Sequence, residues 1–148
     1  MFFCLENLSL KQRLLVAAIV AACATGASAQ DDGGNISLEL NRISTSSDGG
    51  CQVVFFGKNG LDSDLDEVTW RLAVLDAEGV FKNLLALPLG SLSAGKRRIV
   101  QYSLPSPCNE LSEIIVNDVA ACEIGGVESD LCLSRLSVSS RTTINFGL

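Results

Sequence analysis

Histidine does not occur anywhere in this chain of 148 residues. Without an imidazole there is no Ser-His-Asp or Cys-His nucleophile pair and no His-ligated zinc. Methionine occurs once, as Met1, which removes copper trafficking through Met or His clusters. No G-x-S-x-G, Walker or dinucleotide motif is present either. The paired carboxylates Asp76 with Glu78 and Glu110 with Glu113 invite comparison with glycosidases, but acidic residues at turns are commonplace and nothing in the sequence sets a cleft between them. The chain reads as non-catalytic, with no cofactor.

Positive charge is also short, with 11 basic against 17 acidic side chains and a net charge of −6. A field of that sign keeps a small domain soluble and repels phosphate backbones and anionic lipid, so nucleic acid is excluded as a partner. Lys96-Arg97-Arg98 is the one basic run. It could dock an acidic partner or a phosphate-bearing headgroup, but it reads first as a charged strand entry that discourages edge pairing.

What is present begins with an address. Lys11 and Arg13 precede an apolar run from Leu14 to Ala22, and Ala27-Ser28-Ala29 closes it in an A-x-A pattern before Gln30. A basic start, a short apolar stretch and a small-residue site predict a cleaved secretory signal over residues 1–29. The apolar stretch is too short for a stable membrane span. A cut after Ala29 leaves 119 residues, enough for one domain that buries roughly 65% of its unfolded surface. It also removes Lys11, Arg13 and Glu6, taking the net charge to −7. A competing reading starts at Val20-Ala21-Ala22-Cys23, which has the form of a lipobox. Lipidation at Cys23 would leave Ala24 to Asn35 as a tether and would be the chain's route to a membrane. Either way the address is the periplasm or beyond, with lipid anchoring to the envelope as the alternative.

Export changes the meaning of Cys51, Cys108, Cys122 and Cys132. An even number of cysteines in an oxidising compartment reads as two disulfides with three connectivities open. A Cys4 zinc site would want two C-x-x-C pairs, and none exists.

The body of the chain is a succession of short β-type runs between turn signals. Residues 30–35 are polar and glycine-rich and read as a flexible leader, so the folded domain is expected over 36–148. Ile36, Leu38 and Leu40 alternate with polar residues as a half-buried first strand, and Cys51 to Phe56 reads as a strand buried on both sides. Val68, Trp70, Leu72 and Val74 share one face, which makes Trp70 a core residue rather than a stacking platform. Asp76-Ala77-Glu78-Gly79 is a hairpin turn, and strands follow over Val80 to Leu89, Arg98 to Leu104 and Leu111 to Val119. Pro105-Ser106-Pro107 ends the fifth strand. Glu123 to Asp130 reads as a loop. Leu136 to Phe146 reads as one last strand with a bulge near Ser139-Ser140. Seven strands without an internal helix predict an all-β protein, a single antiparallel immunoglobulin-like β-sandwich. In such an arrangement the second and fifth strands are antiparallel neighbours. That places Cys51 close to Cys108 and leaves Cys122 and Cys132 to staple the loop between the last two strands.

Val53-Val54-Phe55-Phe56 with Asn59, and Trp70 to Leu75 with Asp76-Ala77-Glu78-Gly79, are similar to small exported immunoglobulin-like domains of bacteria. Gly95-Lys96-Arg97-Arg98-Ile99-Val100-Gln101-Tyr102, Cys108 and Val116-Asn117-Asp118 narrow the likeness. Over residues 36–146 the chain resembles an uncharacterised group of small secreted alphaproteobacterial proteins, often labelled Tat-signal-domain proteins. Lys11-Gln12-Arg13 stands where a twin-arginine pair would be. The resemblance implies fold and compartment, and brings no catalytic residues.

Asp62, Asp64 and Asp66 are the sharpest local pattern. Alternating carboxylates supply the hard oxygens that calcium prefers, and the run begins as an EF-hand loop does. Its sixth position is Glu67 where glycine is needed and its twelfth is Ala73 where a bidentate glutamate belongs. The residues read as a solvated loop with no metal, and a weak calcium loop is the alternative. The functional expectation is an exported, non-catalytic interaction module for a protein or envelope partner, and the alternative is a lipid-anchored envelope protein with a structural or assembly role.

Overall fold

A computed structural model describes residues 34–148. The predicted signal, Cys23 and most of the predicted flexible leader lie outside the described residues. Among the described residues there are nine strands: β1 (Ile36–Thr45), β2 (Cys51–Asn59), β3 (Glu67–Asp76), β4 (Phe81–Pro88), β5 (Arg97–Leu104), β6 (Leu111–Ile124), β7 (Val127–Glu128), β8 (Leu136–Ser140) and β9 (Asn145–Gly147). One sheet has the order β5-β2-β1-β8; the other runs β4-β3-β6-β7, with β9 also on β6. The protein is an all-β sandwich.

Alternation of side chains builds it. Ile36, Leu38 and Leu40 of β1 are fully buried between half-exposed polar neighbours, as a period of two requires. β3 does the same from the facing sheet with Val68, Trp70, Leu72 and Val74. β2 corrects the sequence expectation, because Cys51, Val53 and Phe55 are buried while Gln52, Val54 and Phe56 lie half-exposed on the outer face. A sheet in a two-layer sandwich has only one covered face, so a continuous apolar run need not be buried on both. Each large side chain fully removed from water contributes about 1.5–3 kcal/mol. Phe55 from the first sheet meets Phe146 from the second edge-on, with ring centroids 5.5 Å apart. Such a contact adds about 0.5–1.5 kcal/mol beyond burial.

The antiparallel pairing of β2 with β5 sets Cys51 opposite Leu104, just before the proline stop. Cys108 sits in a 3-10 turn (Cys108–Glu110) after it and reaches Cys51 with S–S 2.03 Å.

Three features differ from the sequence expectation of about seven antiparallel strands without a helix. First, β8 pairs with β1, and β9 with β6, in parallel. Secondly, the last apolar alternation is not one strand. Leu136 closes against the core from the first sheet, whereas Phe146 does so from the second, with Ile144 buried in the bend just before it. The switch falls where the hydroxyls of Ser140 and Thr142 accept the N–H groups of Thr142 and Ile144, and both donate to the Ile144 carbonyl. Local side-chain partners of this kind let the backbone leave a ladder without leaving its polar groups unpaired. Thirdly, Glu123 to Asp130 is a hairpin, not a loop. Gly125 and Gly126 take φ of 60° and 72°, the left-handed pair a two-residue turn demands, and β7 returns along β6. A single turn of helix, α1 (Leu131–Ser134), then carries the chain from the second sheet to the first.

Candidate functional site

The acidic loop is fastened to the sandwich by its own backbone and by Asn59. Leu65 is buried and pairs with Leu92 through both backbone N–H groups, at 3.1 and 2.8 Å, which pulls the loop onto the sandwich. Buried Asn59 ties the same loop down from within. Its side-chain amide donates to the carbonyls of Ser63 and Leu92 at 2.9 and 2.8 Å, and its oxygen accepts the Leu61 N–H at 2.9 Å. Asp64 is turned to the Ala94 N–H and Asp66 to the Gly126 N–H, each at 2.8 Å, while Asp62 is exposed. The three carboxylates are thus directed to separate places. Among the described residues no group of three or more acidic, cysteine or histidine side chains is set to hold a metal ion.

The basic run is similarly engaged. The Arg98 guanidinium donates to the Leu89 carbonyl, Arg97 lies over the Phe56 ring at 5.8 Å, and the Lys96 carbonyl accepts the Asn59 N–H. Asp76 accepts the N–H groups of Glu78 and Val80 at 3.1 and 2.8 Å, which makes it the clasp of the β3–β4 turn. Trp70 is in the core, as its phase with Val68 and Leu72 demands.

The site that emerges lies where no motif marked it. On its inner side β6 pairs with β3 along nearly its whole length. On its outer side β9 covers Glu113 to Ile115 at one end, and β7 covers Glu123 and Ile124 at the other. The Cys122 carbonyl accepts the Ser129 N–H at 2.9 Å, which extends the covered part by one residue. From Val116 to Ala121 the outer edge has no strand beside it among the described residues. Two breaks of register against β3, at Ala120 and Asn117, bend this stretch and keep the open segment short.

A groove of about 660 Å³ runs along that edge between β6 and α1. Val119, Ala120 and Ala121 form one wall, Leu133 and Ser134 the other, with Glu128, Ser129 and Asp130 at the end. Its size falls within the range of about 300–1,000 Å³ typical of ligand clefts. Leu133 is 49% exposed, a large apolar side chain left uncovered at the groove. The Cys122 to Cys132 disulfide, S–S 1.98 Å, holds α1 against β6, and the Trp70 indole N–H donates to the Cys132 carbonyl at 2.8 Å from beneath. The groove has carboxylates at one end and no lysine or arginine in its lining. It offers apolar contact, open backbone and negative charge.

Two packed sheets, with the outer side of β6 open over part of its length, define the class: a β-sandwich. Its fold is similar to that of IrmA from Escherichia coli, with a TM-score of 0.57 over 70% of this chain and 90% of that one, at 16% identity. No family model matches the chain, and no curated protein does.

Proposed function

We propose that the protein is an exported, non-catalytic binding domain that engages a protein partner of the envelope or periplasm through the groove beside β6. The single observation that carries this is the coincidence of an unpaired strand edge, an exposed Leu133 and a groove floor made rigid by a disulfide. Two disulfides fit an oxidising compartment, and among the described residues no helix is long and apolar enough to cross a membrane. The resemblance of the strand-and-turn blocks to those of small secreted alphaproteobacterial proteins supports the same reading.

A photo-crosslinking residue at position 133 tests the proposal in living cells. It should yield one discrete adduct that the same residue at exposed Gln101 on β5 does not form. Equal adducts from both positions, or none from 133, would overturn it. The lipobox at Cys23 favours a second reading, a lipid-anchored envelope protein with an assembly role. Intact mass separates the two, since a chain beginning at Gln30 is a released protein and a diacylated Cys23 is a tethered one.

A further inference from the structure

The outer side of β6 is an interrupted strand row. β9 and β7 occupy the same lateral position at its two ends, and the gap between them spans Val116 to Ala121. Six residues of strand cover about 20 Å at roughly 3.3 Å each. The outward N–H and C=O groups of this stretch have no strand partner among the described residues, and they form a template for one more strand that follows the bend set by the bulges at Asn117 and Ala120. Nothing in the chain's own described residues fills it, while the groove beside it leaves room for side chains.

We propose that the groove takes an extended peptide segment of its partner as an added strand, completing the row between β9 and β7 and setting a lysine or arginine against Glu128 and Asp130; this rests on the binding reading above. The hydrogen-bonding edge requires an extended backbone, because only that conformation presents N–H and C=O groups at strand spacing. Apolar side chains of the segment meet Val119, Ala121 and Leu133, and the alternate ones face solvent. The two carboxylates at the end of the groove, with no cation in its lining, select a basic residue. A second copy of the chain is disfavoured here, because it brings net negative charge to a negative rim.

The probe is the heptapeptide acetyl-Lys-Thr-Val-Thr-Val-Thr-Lys-amide, whose lysines and valines share one face of the extended chain, titrated into the disulfide-intact protein at low salt and followed by backbone amide NMR. The expected result is a shift of resonances between Asn117 and Cys122 and at Leu133. A twin with alternate peptide nitrogens methylated should bind about tenfold more weakly, since it loses ladder bonds worth about 1.4 kcal/mol in all. The Glu128→Gln/Asp130→Asn variant, altered at exposed positions only, should weaken the parent peptide about fivefold at low salt and less at high salt. Equal binding by the methylated twin would overturn strand addition while leaving the groove a binding site. Equal binding by a Glu-for-Lys peptide would overturn the basic preference. No shift at millimolar peptide would overturn the inference, whereas the crosslink from position 133 would still report whether the groove binds a partner by other means.

Discussion

The indole N–H of Trp70 donates to the carbonyl of Cys132 across 2.8 Å, fully inside the protein. This bond joins the central strand β3 to the helical turn that forms one wall of the groove, so core and site share a residue. Trp70→Phe keeps an aromatic ring but leaves that carbonyl without its donor, which costs about 1–3 kcal/mol in addition to the lost volume. A fall in the urea midpoint, with amide shifts reaching Leu133, checks the prediction; a midpoint change without movement at Leu133 would separate core from groove.

The two disulfides are expected to differ in what they support. Cys51 and Cys108 are 57 residues apart, and Cys122 and Cys132 are 10 apart. By loop closure their removal costs about 4 and about 3 kcal/mol respectively. Either loss is large against a total of about 5–15 kcal/mol. Cys122→Ala/Cys132→Ala should also free α1 from β6 and abolish peptide binding in the protein that remains folded, whereas Cys51→Ala/Cys108→Ala should leave that affinity unchanged. Urea denaturation and peptide titration on each double variant distinguish the two roles.

Asn59 is buried, and all its side-chain polar atoms are partnered. Asn59→Ala strands the carbonyl of Ser63 and the N–H of Leu61 inside or at the edge of the core, and leaves the Leu92 carbonyl with the Leu65 N–H alone. The expected destabilisation is about 2–4 kcal/mol. Loosening should concentrate in residues 61–66, read as faster amide exchange there than in β1.

Much of this framework was legible in the sequence. Period-two alternation identifies β1 and β3 because each has one wet face and one dry face, and the A-x-A site and cysteine parity make a disulfide scaffold the natural reading. The turn at Asp76 to Gly79 is written in its own residues, with Gly79 at φ 77°. The last strand was not legible as two, since Leu136 to Phe146 keeps one alternation while crossing between sheets at Ser140 and Thr142. The groove was hidden for a different reason. It is defined by where β7 and β9 stop along β6, and strand neighbours far apart in sequence leave no local pattern. Gly125-Gly126 was the one available signal, as a two-glycine turn predicts the β6–β7 hairpin that closes one end of it. The acidic loop shows the opposite case: its aspartates stand out in sequence, yet Asp64 and Asp66 hold backbone N–H groups on two other segments.

Acid should weaken the protein partly through Glu39. Hydrogen bonds from Asn41 and then Arg141, at 2.7 and 2.9 Å, hold its carboxyl below the ordinary carboxylate range. A folded-state value below the unfolded one means the contribution is complete above the unfolded value of about 4.3 and is lost as pH falls through the folded value. Glu39→Gln should therefore lower the urea midpoint slightly at pH 7 and converge with the parent in acid. Midpoints that stay separated by a constant amount at every pH would contradict this.

Amide hydrogen exchange, read residue by residue with and without the basic heptapeptide, tests the open edge of β6 most directly. In the free protein the outward-facing amides between Asn117 and Ala121 should exchange about two orders of magnitude faster than those of Leu72 to Val74, and should slow on saturation with peptide. Protection of the whole stretch equal to that of β3 before any ligand is added, or no change on saturation, would contradict the account.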